Sequence, residues 1–396
     1  MGLSMRNDVI VLGGNHQNPL GVIESLSQKG IRPYVIINDN RDSSFVLKSK
    51  HIKRGWICST EEQIQECLLE NFSHLTSKTV AIACNDNMAS FLSNHYNQFQ
   101  SFLLMPGIPQ QGALTAWMDK EKMTEAAQKI GLTVPKTWLV KKGAIPQDII
   151  YPCVTKSLTS VHNGKSEFTI CNNKDELEAF LAHQAHSDTI QVQQFIDKEF
   201  EFQYLGCSLN GGEKIIIPGR THIDVTTHFN NITFLKYTES KVIEDSTTLT
   251  NTEKFIQHTG YSGLFSVEFM HGKDGKDYFL EMNFRNDGNG IVVTAAGTNL
   301  PFIWYLYNSG DDYVSEIKKS VVKETYSVPE DSYLISMLQG DITYREWRRN
   351  MKKANCYISY FKGDTKPFWS LIWLQKRAIL SSIAIYIFRK LHLRKK

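Results

Sequence analysis

Seven cysteines, at positions 58, 67, 84, 153, 171, 207 and 356, are odd in number and form no CxxC pair. Their scatter argues against a zinc site or a disulfide framework, and a reducing cytosol fits best. No tandem repeat or low-complexity tract stands out, and no signal peptide: Met1 to Asp8 leads straight into the apolar Val9-Ile10-Val11-Leu12. The longest apolar, uncharged run near the end, Ala378 to Phe388, falls short of the about 20 residues that cross a bilayer. Acids are scarce in one place only. From Arg345 to Lys396 there are 14 Lys/Arg against Glu346 and Asp364, a balance of +12, which leaves 30 bases against 39 acids, or −9, elsewhere. A mildly acidic body with a basic tail turns that tail toward phosphate-rich surfaces.

What is present is an ordinary globular chain, 41% hydrophobic and 21% charged, whose 396 residues suffice for two or three domains. Residues 8–105 alternate between strand and helix: strands at Val9–Leu12, Pro33–Ile37 and Thr79–Ala83, and helices at Pro19–Lys29, Glu61–Phe72 and Asn87–Tyr96. That order predicts a parallel sheet covered by helices. The loop Gly13-Gly14-Asn15-His16-Gln17-Asn18 lacks the full G-x-G-x-x-G spacing, so it reads as shaping the domain or lining a substrate cleft. From Pro106 a second unit follows. A helix from Met118 to Lys129 stops at Gly131, strands are expected at Trp138–Val140, Cys153–Lys156, Ile190–Ile196, Glu199–Leu205 and Ile215–Ile217, and helices at Asp175–His183 and Thr252–Thr259. This is an α+β pattern with mostly antiparallel pairing.

The most informative stretch is Glu281-Met282-Asn283-Phe284-Arg285, which sets a carboxylate, an amide and a guanidinium at alternate positions. In a strand these project to one side. Oxygen ligands suit Mg²⁺, with Mn²⁺ as the alternative, and the guanidinium suits phosphate. Upstream, Gly263–Phe269 offers a second strand with its own acid, Glu268, and Asp274-Gly275 between them favours a tight hairpin. Glu268 and Glu281 would then converge on one metal ion. Lys156 ends an apolar strand and enters a loop of Ser, Thr, Asn and Gly that can fold over phosphates. Lys120 opens a helix, a reasonable anion site. Glu199 could accept ribose hydroxyls, or is an edge-strand acid. Arg220 could fix a substrate carboxylate, or is a surface arginine. Asn286-Asp287-Gly288-Asn289-Gly290 could carry acceptor-substrate contacts, or is a turn.

The order Asp119-Lys120, Lys156, Gln193-Gln194-Phe195-Ile196 with Glu199, Glu268 and Glu281-x-Asn283-x-Arg285 resembles the ATP-grasp superfamily over about residues 1–310. Gly13-Gly14-Asn15 with Asn18-Pro19-Leu20-Gly21-Val22 looks most like its carboxylate–amine ligase branch, the D-aspartate ligase-like and carbamoyl phosphate synthetase-like enzymes. The resemblance implies an α/β pre-ATP-grasp domain over 1–108, a two-lobed α+β ATP-grasp domain over 109–315 with its lid lobe at about 136–198, and a C-terminal extension over 316–396. It implies that Lys120 and Lys156 contact ATP phosphates under a lid around Thr159, Ser160, Gly164 and Lys165. Gln193, Gln194, Phe195 and Ile196 would clasp adenine, and Glu199 would take the ribose. Glu268, Glu281 and Asn283 would bind magnesium, and Arg285 would stabilise an acyl phosphate. The lid here has one glycine, Gly164, and the hinge carries two glutamines where an acid is common.

The expected activity is ATP-dependent ligation of a small-molecule carboxylate to an amine, with no nucleic acid partner. Two rivals stay open: a kinase of the same superfamily phosphorylating a hydroxyl, and a nucleotide-binding scaffold. Phe368, Trp369, Leu371, Ile372, Trp373 and Leu374, followed by Ala378–Phe388 between Lys376-Arg377 and Arg389-Lys390, suit an anionic membrane interface. The alternative is a helix docked on the enzyme or on a second copy in a homodimer. A cytoplasmic protein at the inner membrane face points to a substrate in cell-wall or surface-polysaccharide assembly.

Overall fold

The computed structural model describes residues 7–141, 144–156, 169–183, 189–224, 234–239 and 246–393. Its first layer is a parallel sheet in the order β3-β2-β1-β4-β5. The strands are β1 Val9–Gly14, β2 Tyr34–Asn38, β3 Arg54–Cys58, β4 Thr79–Ala83 and β5 Leu103–Leu104, and the helices α1 Gln17–Ser27, α2 Glu61–Phe72, α3 Asp86–Asn94 and α4 Tyr96–Phe99. Near-continuous apolar runs such as Val9-Ile10-Val11-Leu12 are buried on both faces, as a helix-covered parallel sheet requires. The strand order reverses between β1 and β4. The loops leaving those two strands flank that switch point, the place where open α/β sheets bind ligands.

Next come α5 Ala113–Trp117 and α6 Lys120–Ile130. Asp119 caps α6 by accepting from Lys122 N at 2.8 Å, and Gly131 closes it at φ 97°. A small sheet follows in the order β6-β9-β7-β8, made of β6 Thr137–Lys141, β7 Cys153–Lys156, β8 Thr169–Cys171 and β9 Thr189–Gln194, with α7 Lys174–His183 beside it. Trp138, Val140, Leu177, Leu181 and Val192 give it a separate core.

The large sheet has eight strands in the order β15-β14-β10-β12-β13-β16-β17, with β11 paired to β10. These are β10 Lys198–Leu209, β11 Lys214–Ile216, β12 Gly219–Asp224, β13 Leu235–Glu239, β14 Gly263–Gly272, β15 Asp277–Asn283, β16 Thr325–Val328 and β17 Cys356–Tyr357. Between and after them run α8 Thr247–Thr259, α9 Gly290–Ala296, α10 Leu300–Ser309, α11 Tyr313–Lys319, α12 Glu330–Gln339, α13 Tyr344–Lys353, α14 Lys366–Leu374 and α15 Lys376–Leu393. One face of β10 sends Phe202 and Tyr204 into a core with Phe269 and Phe279. The other sends Leu205, Cys207 and Leu209 into a core shared with Val9, Val11 and α10. The parallel sheet and the large sheet are therefore packed as one body. The hairpin turn forms as its sequence predicts: Gly275 sits at φ 77° and donates to Gly272 O at 2.9 Å. All seven cysteines are buried free thiols.

Candidate functional site

β14 and β15 pair in a register that sets Glu268 directly opposite Glu281, and Ser266 opposite Asn283. Opposed residues of an antiparallel pair share a face, with Cβ atoms about 5 Å apart. Glu268 also lies opposite Gln203 of β10, so three adjacent strands present Gln203, Glu268 and Glu281 together. Asn283 Nδ2 donates to Glu268 Oε1 at 3.0 Å and to Ser266 Oγ at 3.2 Å. Gln203 Nε2 donates to the same Glu268 oxygen at 3.1 Å, and Asn289 Nδ2 donates to Gln203 Oε1 at 3.0 Å. At the edge, Lys120 at the start of α6 reaches Glu281 Oε2 at 3.0 Å.

The polar network continues into the loop after β15. Ser266 Oγ donates to Asp287 Oδ2 at 3.2 Å, and Arg285 Nη1 donates to that oxygen at 2.9 Å. Arg285 Nε donates to Asp86 Oδ1 at 3.2 Å, and Asp86 opens α3 beyond β4. Asn18, beyond β1, donates from Nδ2 to Asn286 O at 2.6 Å and Cys84 O at 2.7 Å, while Asn286 Nδ2 donates back to Asn18 Oδ1 at 2.5 Å. Both loops of the parallel sheet's switch point thus close on the loop that follows the strand of Glu281 and Asn283. The loop of Gly13–Asn18 lines this site. Burial lowers the pKa of its His16, against the opposing charges of Asp331 and Asp287.

Burial raises Glu268 to about 7, and the charges of Asp287 and Glu281 add to that. Either a proton or a cation relieves carboxylates that share one face in this way. Among the described residues no group of three or more His, Cys, Asp or Glu is placed to hold a metal. Mg²⁺ does not require one, since it is commonly held by one or two carboxylates and completed by water and substrate phosphates. Glu268, Glu281 and Asn283 fit Mg²⁺ or Mn²⁺ on that basis.

The hinge residues join the small sheet to the large one. Gln193 Nε2 donates to Thr137 Oγ1 at 3.1 Å, Gln194 N to Lys136 O at 2.8 Å, and Phe195 N to Pro152 O at 3.1 Å. Ile196 is buried. Lys156 closes β7 opposite Gln191 of β9. Thr159, Ser160, Gly164 and Lys165 lie outside the described residues.

One expectation changes. Arg220 does not join the carboxylates: it pairs with Tyr204 across β12 and β10, which puts it on the opposite face from Gln203. Its guanidinium lies over the rings of Phe202, at 4.9 Å, and Phe200, at 5.7 Å, a cation–π role. Glu199 is exposed and falls where β10 slips against β14, between Lys198 and Phe200. Glu201, salt-bridged to Lys198, is the acid whose parity matches Gln203. The alternation Glu201-x-Gln203 was the signal for that face. Asp86 had none, because it lies 199 residues from Arg285.

Residues 125–300 match the model of the ATP-grasp domain. The chain is 20% identical over 254 residues to a D-aspartate ligase of Enterococcus faecium (strain Aus0004), a match over 58% of this chain and 59% of that protein. The chain therefore spans under two thirds of that relative's length. An L-amino acid ligase from Bacillus licheniformis superposes with a TM-score of 0.55 at 16% identity, over 76% of this chain and 74% of that one. A biotin carboxylase–β-γ-ATP complex from Campylobacter jejuni gives 0.60 at 15% identity, over 80% and 74%. At such identities the likeness is one of fold.

Proposed function

We propose that the protein is an ATP- and Mg²⁺-dependent carboxylate–amine ligase that forms an amide or peptide bond through an acyl phosphate. The observation that carries this reading is the direct opposition of Glu268 and Glu281, with Asn283 bonded to Glu268, inside an ATP-grasp domain. The names of the D-aspartate ligase and L-amino acid ligase relatives support the reaction class. We take residues 1–108 as the pre-ATP-grasp unit, 109–315 as the ATP-grasp unit and 316–396 as an extension.

A carboxylate repels nucleophiles, and oxide is too poor a leaving group; phosphorylation by ATP supplies a good one. The metal, when bound, offsets charge on the phosphates and the transferring group. Glu268, Glu281 and Asn283 would hold it, with Gln203 and Asn283 bonded to the Glu268 carboxylate. Lys120, at 3.0 Å from Glu281, exchanges that exposed pair for a phosphate at little cost, because surface ion pairs contribute about 0–1 kcal/mol. Lys156 is assigned to the phosphates, and the hinge and Glu199 to the nucleoside. Arg285, held between Asp86 and Asp287, presents a fixed positive charge to the acyl phosphate. An amine then displaces phosphate. Arg220 has no part in this scheme.

ADP release across a panel of amino acids and acidic sugars, with the amine varied separately, tests the reading. ADP formation that consumes both an acid and an amine is expected. A phosphorylated hydroxyl product with no amine consumed would make the protein a kinase. Glu281→Ala should abolish ADP release with the circular dichroism spectrum unchanged, and undiminished turnover would refute the metal assignment. We place the enzyme at the inner face of the membrane, acting in cell-wall or surface-polysaccharide assembly.

A further inference from the structure

α14 and α15 meet at Gln375 with a bend of 64°; among the described residues no single helix is long and apolar enough to cross a membrane, though this bent pair passes that test together. α14 buries Leu371 in the main core, whereas α15 is turned with polar groups inward and apolar side chains outward. α15 packs on α12 through a polar seam: Gln375 Nε2 donates to Asp331 Oδ2 at 2.8 Å, Gln339 Nε2 donates to buried Ser382 Oγ at 3.2 Å, and Arg389 bonds Gln339 O. Tyr386, half-buried between these contacts, packs on the apolar cluster of Tyr333 and Met337. The outward side carries Leu380, Ile383, Ile387 and Phe388, the i, i+3, i+7, i+8 spacing of a single helical stripe. Trp369 and Trp373, one turn apart on α14, point out as well; both, like Leu380 and Phe388, are more than 60% exposed. A soluble helix has the reverse arrangement, and a contiguous apolar surface of this kind marks a docking site.

Charge decides the occupant. From Lys366 to Lys396 the sequence has no Asp or Glu, and Lys376-Arg377 and Arg389-Lys390 bracket the apolar stripe. Lys376 Nζ lies 3.8 Å above the Trp373 ring, an amphipathic pair suited to the headgroup level. Two copies joined through this face would bring cationic ends together, whereas anionic headgroups meet both ends at once. We propose that the α14–α15 face docks on an anionic lipid bilayer, lying in the interface with its apolar stripe in the acyl boundary and its basic ends on lipid phosphates. This deepens the membrane-face placement and is independent of the ligase chemistry, because lipid binding needs neither ATP nor substrate.

The test is co-sedimentation of the full chain with vesicles of equal parts phosphatidylglycerol and phosphatidylcholine, against vesicles of phosphatidylcholine alone. Binding to the anionic vesicles, weakened by salt and accompanied by a blue shift of tryptophan emission, is expected. The double variant Trp373→Glu/Leu380→Glu should lower the bound fraction about tenfold or more, and Lys376→Glu/Arg377→Glu should remove the preference for anionic lipid. Neither pair touches the catalytic machinery, so ADP release in solution reports whether each variant is folded. Protein that stays in the supernatant at low salt overturns the proposal. So does binding unaffected by Trp373→Glu/Leu380→Glu, or a stable dimer that this variant splits in the absence of any vesicle binding.

Discussion

At Glu268 the fold holds a carboxyl group up at about 7, through burial first and the charges of Asp287 and Glu281 second. The folded value lies above the ordinary 4.5, so between those two pH values the folded protein keeps a proton the unfolded chain has already released. Stability therefore falls as pH rises through that window, and the penalty is complete above it. Glu330, also near 7 and buried beneath the backbone N–H groups of Ser359 and Tyr360, adds a slope of the same sign. Glu268→Gln isolates the site's share. In urea unfolding at about pH 8 without metal it should stabilise the protein by on the order of 1–3 kcal/mol, while weakening magnesium–nucleotide binding. In the unaltered protein, metal-dependent nucleotide affinity should rise from about pH 6 to 8, because the metal needs the ionised carboxylate; calorimetric titration across that range measures it.

Among the elements, β10 is the one on which every face of the large sheet depends, and Gly206 is its tightest point. A Cβ there would stand 2.6 Å from Ile216 O and 2.4 Å from Phe265 Cζ. Backbone cannot step aside, so Gly206→Ala should cost about 2–4 kcal/mol in chemical denaturation. How much was legible follows the range of the forces. α2 and β4 have the bounds their sequence predicts, because a Thr60 cap and a run apolar but for Thr79 are local signals. The β14–β15 hairpin was legible for the same reason, through alternation and Asp274-Gly275. β3, Arg-Gly-Trp-Ile-Cys, was not: it is a half-polar edge strand held by its neighbour β2. The strands β16 and β17, which extend the large sheet from residues 325–357, carried no periodic signal either. Arg220 was assigned from its loop-like context, and only its pairing with Tyr204 fixed which face it takes.

Across the whole molecule, the site is assembled by contacts no local pattern contains. Asn18 and Asn286 stand 268 residues apart and satisfy one another's buried amides. Trp304 on α10 likewise donates to Ala81 O of β4 at 3.0 Å. Asn18→Ala leaves several buried polar groups without partners, at about 1–3 kcal/mol each. It should lower the thermal midpoint by several degrees and impair turnover together. Asp86→Ala should separate the two effects: Asp86 is half exposed, so stability should move by less than about 1 kcal/mol, while kcat falls through a loosened Arg285 and KM for ATP holds. An unchanged kcat would remove Asp86 as a positioning residue. The seven hidden thiols have a practical consequence at this scale. They are spread over the parallel sheet (Cys58, Cys67, Cys84), the small sheet (Cys153, Cys171), the large sheet (Cys207) and the strand beyond α13 (Cys356). An alkylating reagent finds none of them at the surface, so each modified peptide recovered by mass spectrometry would date the opening of its own layer, giving a clock for domain breathing without any introduced label.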